Sequence, residues 1–348
     1  MIFSWTRKTC LTNYNQIIDT LLQWYEVNQR VLPWRATNTK SVEPFFVLIS
    51  EIMLQQTVVK AVIPYYERFT ERFKTSQDLK ECTQDELFWY WQGLGYYRRA
   101  LNLQKCAKEL CELSSFPSTF QELIKLPGVG AYTAAAVASI CFNEKILPVD
   151  GNIARVLSRL YEIKDVLPLL KKNLLKHNYM FYPQKASGQV AQAYMDLGAT
   201  ICTPSNPKCE VCPLTSFCLA FKNKQTSLFP VLEQKKEKPT RYGTVYWIGD
   251  QDKVLVQKRK EPGLLHGLME FPSTPWLEDE RTFFDASSKC VVKHTFTHFH
   301  LKLCVEKKDP TFSPSFPDAQ WVRIEDLQTL AFPTLMKKVA HIAKHILT

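Results

Sequence analysis

No stretch of about twenty consecutive apolar residues occurs in this chain, so nothing in it reads as a membrane-spanning helix. The opening residues, Met1-Ile2-Phe3-Ser4-Trp5-Thr6-Arg7-Lys8, lack the charged-then-apolar order of a secretion signal. The expectation is an intracellular protein whose thiols stay reduced. There is no internal repeat and no low-complexity tract. Upstream of Cys202 almost no period-two alternation is found, which leaves little room for strands and predicts an all-helical region. Acidic residues are the scarcer charge: 34 Asp and Glu against 44 Lys and Arg leave a net charge of +10. That balance favours a polyanionic partner.

What is present supports packed cores. Apolar residues make up 45% and aromatics 12% of 348 residues, enough for two domains. Helical spacing predicts helices over 14–28, 45–54, 58–73, 83–91, 96–113, 117–126, 152–161 and 186–199. A polar, charged, Pro-bearing stretch over 222–240 reads as a linker between domains 1–221 and 241–348. Beyond it, alternation predicts strands over 242–248 and 253–259, with Gly249-Asp250 as the turn. Further strands are expected near 291–297, 299–306 and 319–324, and a helix over 333–347. The second domain is therefore expected to be α+β.

The stretch from Leu126 to Asn152 carries the first chemical signal. Gly128 and Gly130 make a tight turn, and the Ala-rich run after it is a strong helix former. Turn amides at a helix N-terminus form a seat for phosphate. Asp150 follows as a lone carboxylate. The alternative is a plain helix–turn–helix corner with Asp150 as an N-cap.

Cysteine is unevenly spread. Cys10, Cys82, Cys106, Cys111, Cys141, Cys290 and Cys304 are scattered and read as structural or incidental. Cys202, Cys209, Cys212 and Cys218 form Cys-x6-Cys-x2-Cys-x5-Cys. Four thiols so close in a reducing compartment imply a metal centre. Structural zinc commonly uses two Cys-x2-Cys pairs, and only one is present, so an iron–sulfur cube fits the spacing better. Glu51 is the one acid in the apolar run from Phe45 to Leu54. Desolvation there raises a carboxyl pKa and suits it to protonate a leaving group near neutral pH. The alternative is a Glu held by the helix dipole or by an Arg. Asp150, if close in space, would supply the second carboxylate of an acetal-type cleavage. Gln55-Gln56 offer amides for base edges, and Tyr96-Tyr97 with Arg98-Arg99 offer stacking planes beside phosphate partners.

In order, Leu32-Pro33-Trp34-Arg35, Ser50-Glu51-Ile52-Met53-Leu54-Gln55-Gln56-Thr57, Gly93-Leu94-Gly95-Tyr96-Tyr97, Leu126-Pro127-Gly128-Val129-Gly130-Ala131-Tyr132-Thr133, Val149-Asp150-Gly151-Asn152 and the four cysteines are found. So ordered, they resemble the adenine DNA glycosylases of the MutY type, in the helix-hairpin-helix superfamily that includes endonuclease III. The resemblance implies a multidomain fold. Its first part is an all-α glycosylase domain with a six-helix barrel module and an iron–sulfur module, and its second is a Nudix-like α+β domain. It further implies excision of adenine mispaired with 8-oxoguanine or guanine in duplex DNA, by a monomer, with the base flipped from the stack. Glu51 would be the general acid and Asp150 the stabiliser of the cationic sugar, with Tyr132 and Asn152 positioning them. Arg30, Leu32, Trp34 and Gln192 would line the adenine pocket. Gln56 and Tyr96 would surround the orphan 8-oxoguanine, and Gly128 and Gly130 would hold a phosphate. Cys202, Cys209, Cys212 and Cys218 would ligate a [4Fe–4S] cluster. A bacterial owner would place the enzyme in the cytoplasm, on the nucleoid.

The second domain resembles the 8-oxoguanine recognition domain that these enzymes append. Its probing loop reads Phe296-Thr297-His298, with Thr where the family carries Ser. Met269 stands where the family usually carries Trp, and the loop between Trp34 and Glu51 is a few residues longer than in some relatives. No Glu-rich magnesium box follows Phe271-Pro272, so a binding module is expected there, not a nucleotide hydrolase. Two rivals stay open. An endonuclease III-like glycosylase/lyase needs a Lys nucleophile, which that family places where this chain has Tyr132. The other is a non-catalytic mismatch-binding iron–sulfur protein.

Overall fold

The computed structural model of the chain describes residues 7–35, 43–176, 186–233, 237–279 and 290–346. Its residues group into two units, Met1–Lys80 with Asn102–Gln234 and Glu81–Leu101 with Lys235–Thr348. The helices in order are α1 (Arg7–Asn28), α2 (Pro44–Leu54), α3 (Val59–Arg72), α4 (Ser76–Glu81), α5 (Gln84–Trp91), α6 (Arg98–Leu110) and α7 (Phe120–Leu123). They continue with α8 (Ala131–Phe142), α9 (Gly151–Tyr161), α10 (Leu167–Lys176), α11 (Ser187–Thr200) and α12 (Leu219–Lys222). Among the described residues no helix is long and apolar enough to cross a membrane.

Small residues set the packing of the first unit. α8 is buried over Thr133–Ser139, and its alanines let neighbouring backbones approach. A Cβ built on Gly188 of α11 would stand 2.7 Å from the Ser139 carbonyl oxygen, so α11 crosses α8 at a distance only glycine permits. Leu21, Ile153, Leu157, Val190 and Tyr194, from α1, α9 and α11, share one core. Pro44 occupies the first turn of α2, where its missing N–H costs nothing. The expected helices are all found with shifted ends. The expected helix over 117–126 shrinks to α7, a single turn closed by a Thr119–Glu122 capping box. The stretch Leu167–Lys176, for which no helix was expected, forms α10 with Pro168 in its first turn. Residues 36–42, in the loop expected to be longer, lie outside the described residues.

The second unit is built on a mixed sheet in the order β3-β2-β1-β5-β4, with β6 paired to β2. The strands are β1 (Thr240–Asp250), β2 (Lys253–Lys258), β3 (Met269–Glu270), β4 (Val291–Thr295), β5 (His300–Lys308) and β6 (Gln320–Arg323). β1 and β5 run parallel from Thr240↔His300 to Ile248↔Lys308, and β4 and β5 form an antiparallel hairpin. Helix α13 (Thr334–Ile346) contributes Leu335, Met336, Val339 and Ala343 to the core beneath. The turn expected at Gly249-Asp250 moves by two residues. Asp250 still pairs with Lys253, and Gln251 takes the left-handed φ of 52° that the tight turn needs. The helical first unit and the α+β second unit match the expected fold class.

Candidate active site

A cavity of about 1100 Å³ opens in the first unit. Arg30, Leu32, Trp34, Glu51, Gln56, Tyr132, Asp150, Asn152 and Gln192 all line it. Residues from well-separated stretches of sequence are thereby brought around one space.

Glu51 sits in the last turns of α2, a helix apolar almost all round, and is 4% exposed. Its carboxylate accepts the Tyr132 hydroxyl at 2.8 Å. Burial pushes the Glu51 pKa up to about 7, the Tyr132 hydrogen bond opposes this, and the charge of Asp150 adds to it. Tyr132 is itself held well above its ordinary value by burial and the two carboxylates, so it stays a donor. Near neutral pH Glu51 is therefore divided between acid and base forms. That is the condition for one group to give a proton and later take one back.

Asp150 is the N-cap of α9: it accepts the Ile153 amide at 2.6 Å and the Asn152 side-chain amide at 2.9 Å. The N-cap reading is thus met, and the same residue lines the cavity. Burial raises its pKa, and the hydrogen bonds from Ile153 and Asn152 and the charge of Lys171 pull it back. Lys171, from the unexpected α10, lines the same cavity. Asn152 is fixed in turn. Its side-chain oxygen accepts from Arg155 at 2.8 Å, and that guanidinium also reaches the carbonyls of Gly198 and Cys202 at 2.8 Å each. A Cβ on Gly198 would lie 2.6 Å from the Asn152 Cβ. Gly198→Ala is expected to cost about 1–3 kcal/mol by overpacking, lowering Tm by several degrees in a thermal melt.

The hairpin glycines stand apart from the cavity lining. Gly128 has a φ of +76°, and an added Cβ would lie 2.6 Å from the Asn102 Cβ. Gly130 is the N-cap of the 12-residue α8, with nothing within 4 Å of a built Cβ, so the helix start is open to a partner. In the second unit, Tyr96 is 44% exposed with a φ of 47°, and its hydroxyl lies 2.6 Å from the Thr297 hydroxyl. Phe296 stacks on Trp276 with centroids 5.9 Å apart, and His298 is exposed beside them. Met269 is 6% exposed and belongs to the core of the second unit.

The four clustered cysteines are half-buried, and Arg159 donates to the Cys202 sulfur at 3.4 Å. Burial, then the neighbouring cysteines, push the Cys212 thiol up to about 11. Among the described residues no three such groups stand close enough to share one metal ion. A cube takes each thiolate on a different iron, so its ligands must be spread out, and this donor set of four thiols fits one.

Two further residues at the site carried no role in the sequence reading. Arg35, which lines the cavity, forms a buried pair with Asp196 behind the wall. Asp196 is an acid within the apolar run from Val190 to Leu197, the same signature that singled out Glu51.

Residues 49–176 match the HhH-GPD superfamily of base excision DNA repair proteins, 202–218 the iron–sulfur binding domain of endonuclease III, and 244–341 the NUDIX domain. The chain therefore carries a [4Fe–4S] site. It is 33% identical to the adenine DNA glycosylase of Buchnera aphidicola subsp. Schizaphis graminum, over 93% of this chain and 97% of the relative. To the human adenine DNA glycosylase it is 31% identical, over 92% of this chain and 72% of the relative. Among solved structures it resembles a trapped endonuclease III–DNA covalent intermediate, at 25% identity and a TM-score of 0.51, over 63% of this chain and 98% of that one.

Proposed function

Because the chain belongs to the adenine DNA glycosylases, enzymes of base excision repair, we propose that it acts on adenine mispaired with 8-oxoguanine or guanine in duplex DNA. The adenosine is flipped from the stack into the cavity between Arg30, Leu32, Trp34 and Gln192. Glu51 gives its proton to the adenine N7 as the C1′–N9 bond breaks and the bonding electrons leave with the base. The ionised Asp150 stabilises the oxocarbenium-like sugar. Water then adds to C1′, and Glu51 takes its proton back. Tyr132 orients Glu51, and Asn152 orients Asp150.

Around the DNA, the Gly128 and Gly130 amides hold a phosphate, and Gln56 and Tyr96 border the orphan base. Phe296, Thr297 and His298 probe the lesion strand. Cys202, Cys209, Cys212 and Cys218 hold the [4Fe–4S] cluster, which orders the loop around it. This reading divides the chain into a glycosylase domain (1–221), a linker (222–240) and a recognition domain (241–348), acting as a monomer.

The observation that carries it is the pair Glu51 and Asp150 in one cavity, with Tyr132 donating to Glu51 at 2.8 Å. A lyase would need an amine where Tyr132 stands. Single-turnover cleavage of duplexes with adenine opposite 8-oxoguanine, guanine, cytosine and thymine tests it. Adenine release is expected opposite the first two, with strands left intact until alkali is added. Efficient borohydride trapping of an enzyme–DNA adduct would overturn the monofunctional reading.

A further inference from the structure

Asp196 has no exposed surface, yet it is an ionised acid facing two arginines. Arg35 donates to it through both terminal nitrogens, at 2.7 and 2.8 Å. Arg30 donates through its backbone amide at 2.9 Å and its Nε at 2.6 Å. Arg35 also reaches back to the Arg30 carbonyl at 3.2 Å, closing the ring. One carboxylate of α11 thus ties down the segment from Arg30 to Arg35, which supplies Arg30, Leu32, Trp34 and Arg35 to the cavity wall. A fork of this kind fixes the guanidinium in place as well as in charge.

Burial alone would raise the Asp196 carboxyl, but the hydrogen bonds and charge of Arg35, then Arg30, hold it below its ordinary value. Three groups therefore carry two positive charges and one negative, beside the wall that Glu51 also lines.

We infer that Asp196 is a positioning residue of the base-binding cavity, and that by pinning and partly neutralising Arg35 it sets the positive charge that Glu51 faces. The inference rests on the acid role proposed for Glu51. The groups acting on Glu51 are Tyr132 from α8, Asp150 at the start of α9 and Arg35. Cys141 of α8 is also within its field, and burial pushes that thiol up to about 12, so it stays neutral through the working range. Tyr132 likewise stays protonated. The descending limb of activity with rising pH thus reports Glu51.

The test is the single-turnover rate on adenine opposite 8-oxoguanine from about pH 5 to 9, for the wild type, Glu51→Gln, Asp196→Asn, Arg35→Gln and Arg35→Lys. Asp196→Asn leaves the Arg35 charge uncompensated, so the limb moves to lower pH, by on the order of half a unit. Arg35→Gln removes that charge, so the limb moves to higher pH by a similar amount. Arg35→Lys keeps the charge and holds the limb near the wild-type position. A purely structural role would lower the rate in all variants and leave every limb in place, and that result overturns the inference. If Asp196→Asn does not fold, the contrast between Arg35→Gln and Arg35→Lys decides in the same way. Retained activity in Glu51→Gln would sink the proposed acid itself. An inactive Glu51→Gln with unmoved limbs elsewhere sinks only the role of Asp196.

Discussion

Glu51→Gln stops adenine release: the single-turnover rate on adenine opposite 8-oxoguanine falls by about 10²–10⁴-fold, while mismatch binding persists. The substitution keeps the shape of the side chain and an oxygen to accept the Tyr132 hydroxyl, and it removes only the proton that is given and recovered. Stability moves the other way. The carboxyl pKa rises from 4.5 to about 7 on burial, so the folded state binds more protons than the unfolded one in that interval. Glu51 therefore stabilises least at high pH. Its contribution is present below the unfolded value and is lost as pH climbs through about 7. Summed over that shift, the penalty is on the order of 3 kcal/mol. Glu51→Gln relieves it, so denaturant melts should show the variant at least as stable as the wild type at pH 8 and relatively less favoured at pH 5. A variant that cleaves as well as the wild type would show that the acid lies elsewhere.

Asp150→Asn is the second large effect, with a loss of about 10²–10³-fold in single-turnover rate. Asn caps helices as well as Asp does, so the hydrogen bond from the Ile153 amide survives and Tm changes little. Asp150→Ala loses the rate and the cap together, at a cost of about 1 kcal/mol. If Asn and Ala fell equally in rate and in Tm, the cap would account for the defect. A stable, slow Asn variant isolates the charge of Asp150 as the cause and supports the role proposed for it.

Glu51 is legible in the sequence because a lone acid in an apolar helix is a conflict between local chemistry and burial. The cysteine spacing and the order Asp150-Gly151-Asn152 are legible because each sets its chemistry within a few residues. Asp196 carries the same conflict as Glu51 but sits in no motif, and its meaning depends on arginines more than 160 positions away. The Tyr96–Thr297 contact spans 201 positions, so no local pattern relates the two residues. The misplaced turn at Gly249-Asp250 has a different cause. Glycine and aspartate there satisfy turn propensity, but Gly249 pairs with Val254 inside the ladder, where Trp247 lies close to its backbone. Strand register overrode composition.

Arg155 binds the Cys202 carbonyl with one nitrogen and the Asn152 side chain with another. A planar guanidinium cannot bend between those two bonds. The cysteine loop and the cavity carboxylate Asp150 are thus braced by one strut, Arg155 with the Asn152 amide, and neither end moves alone without breaking one of its hydrogen bonds.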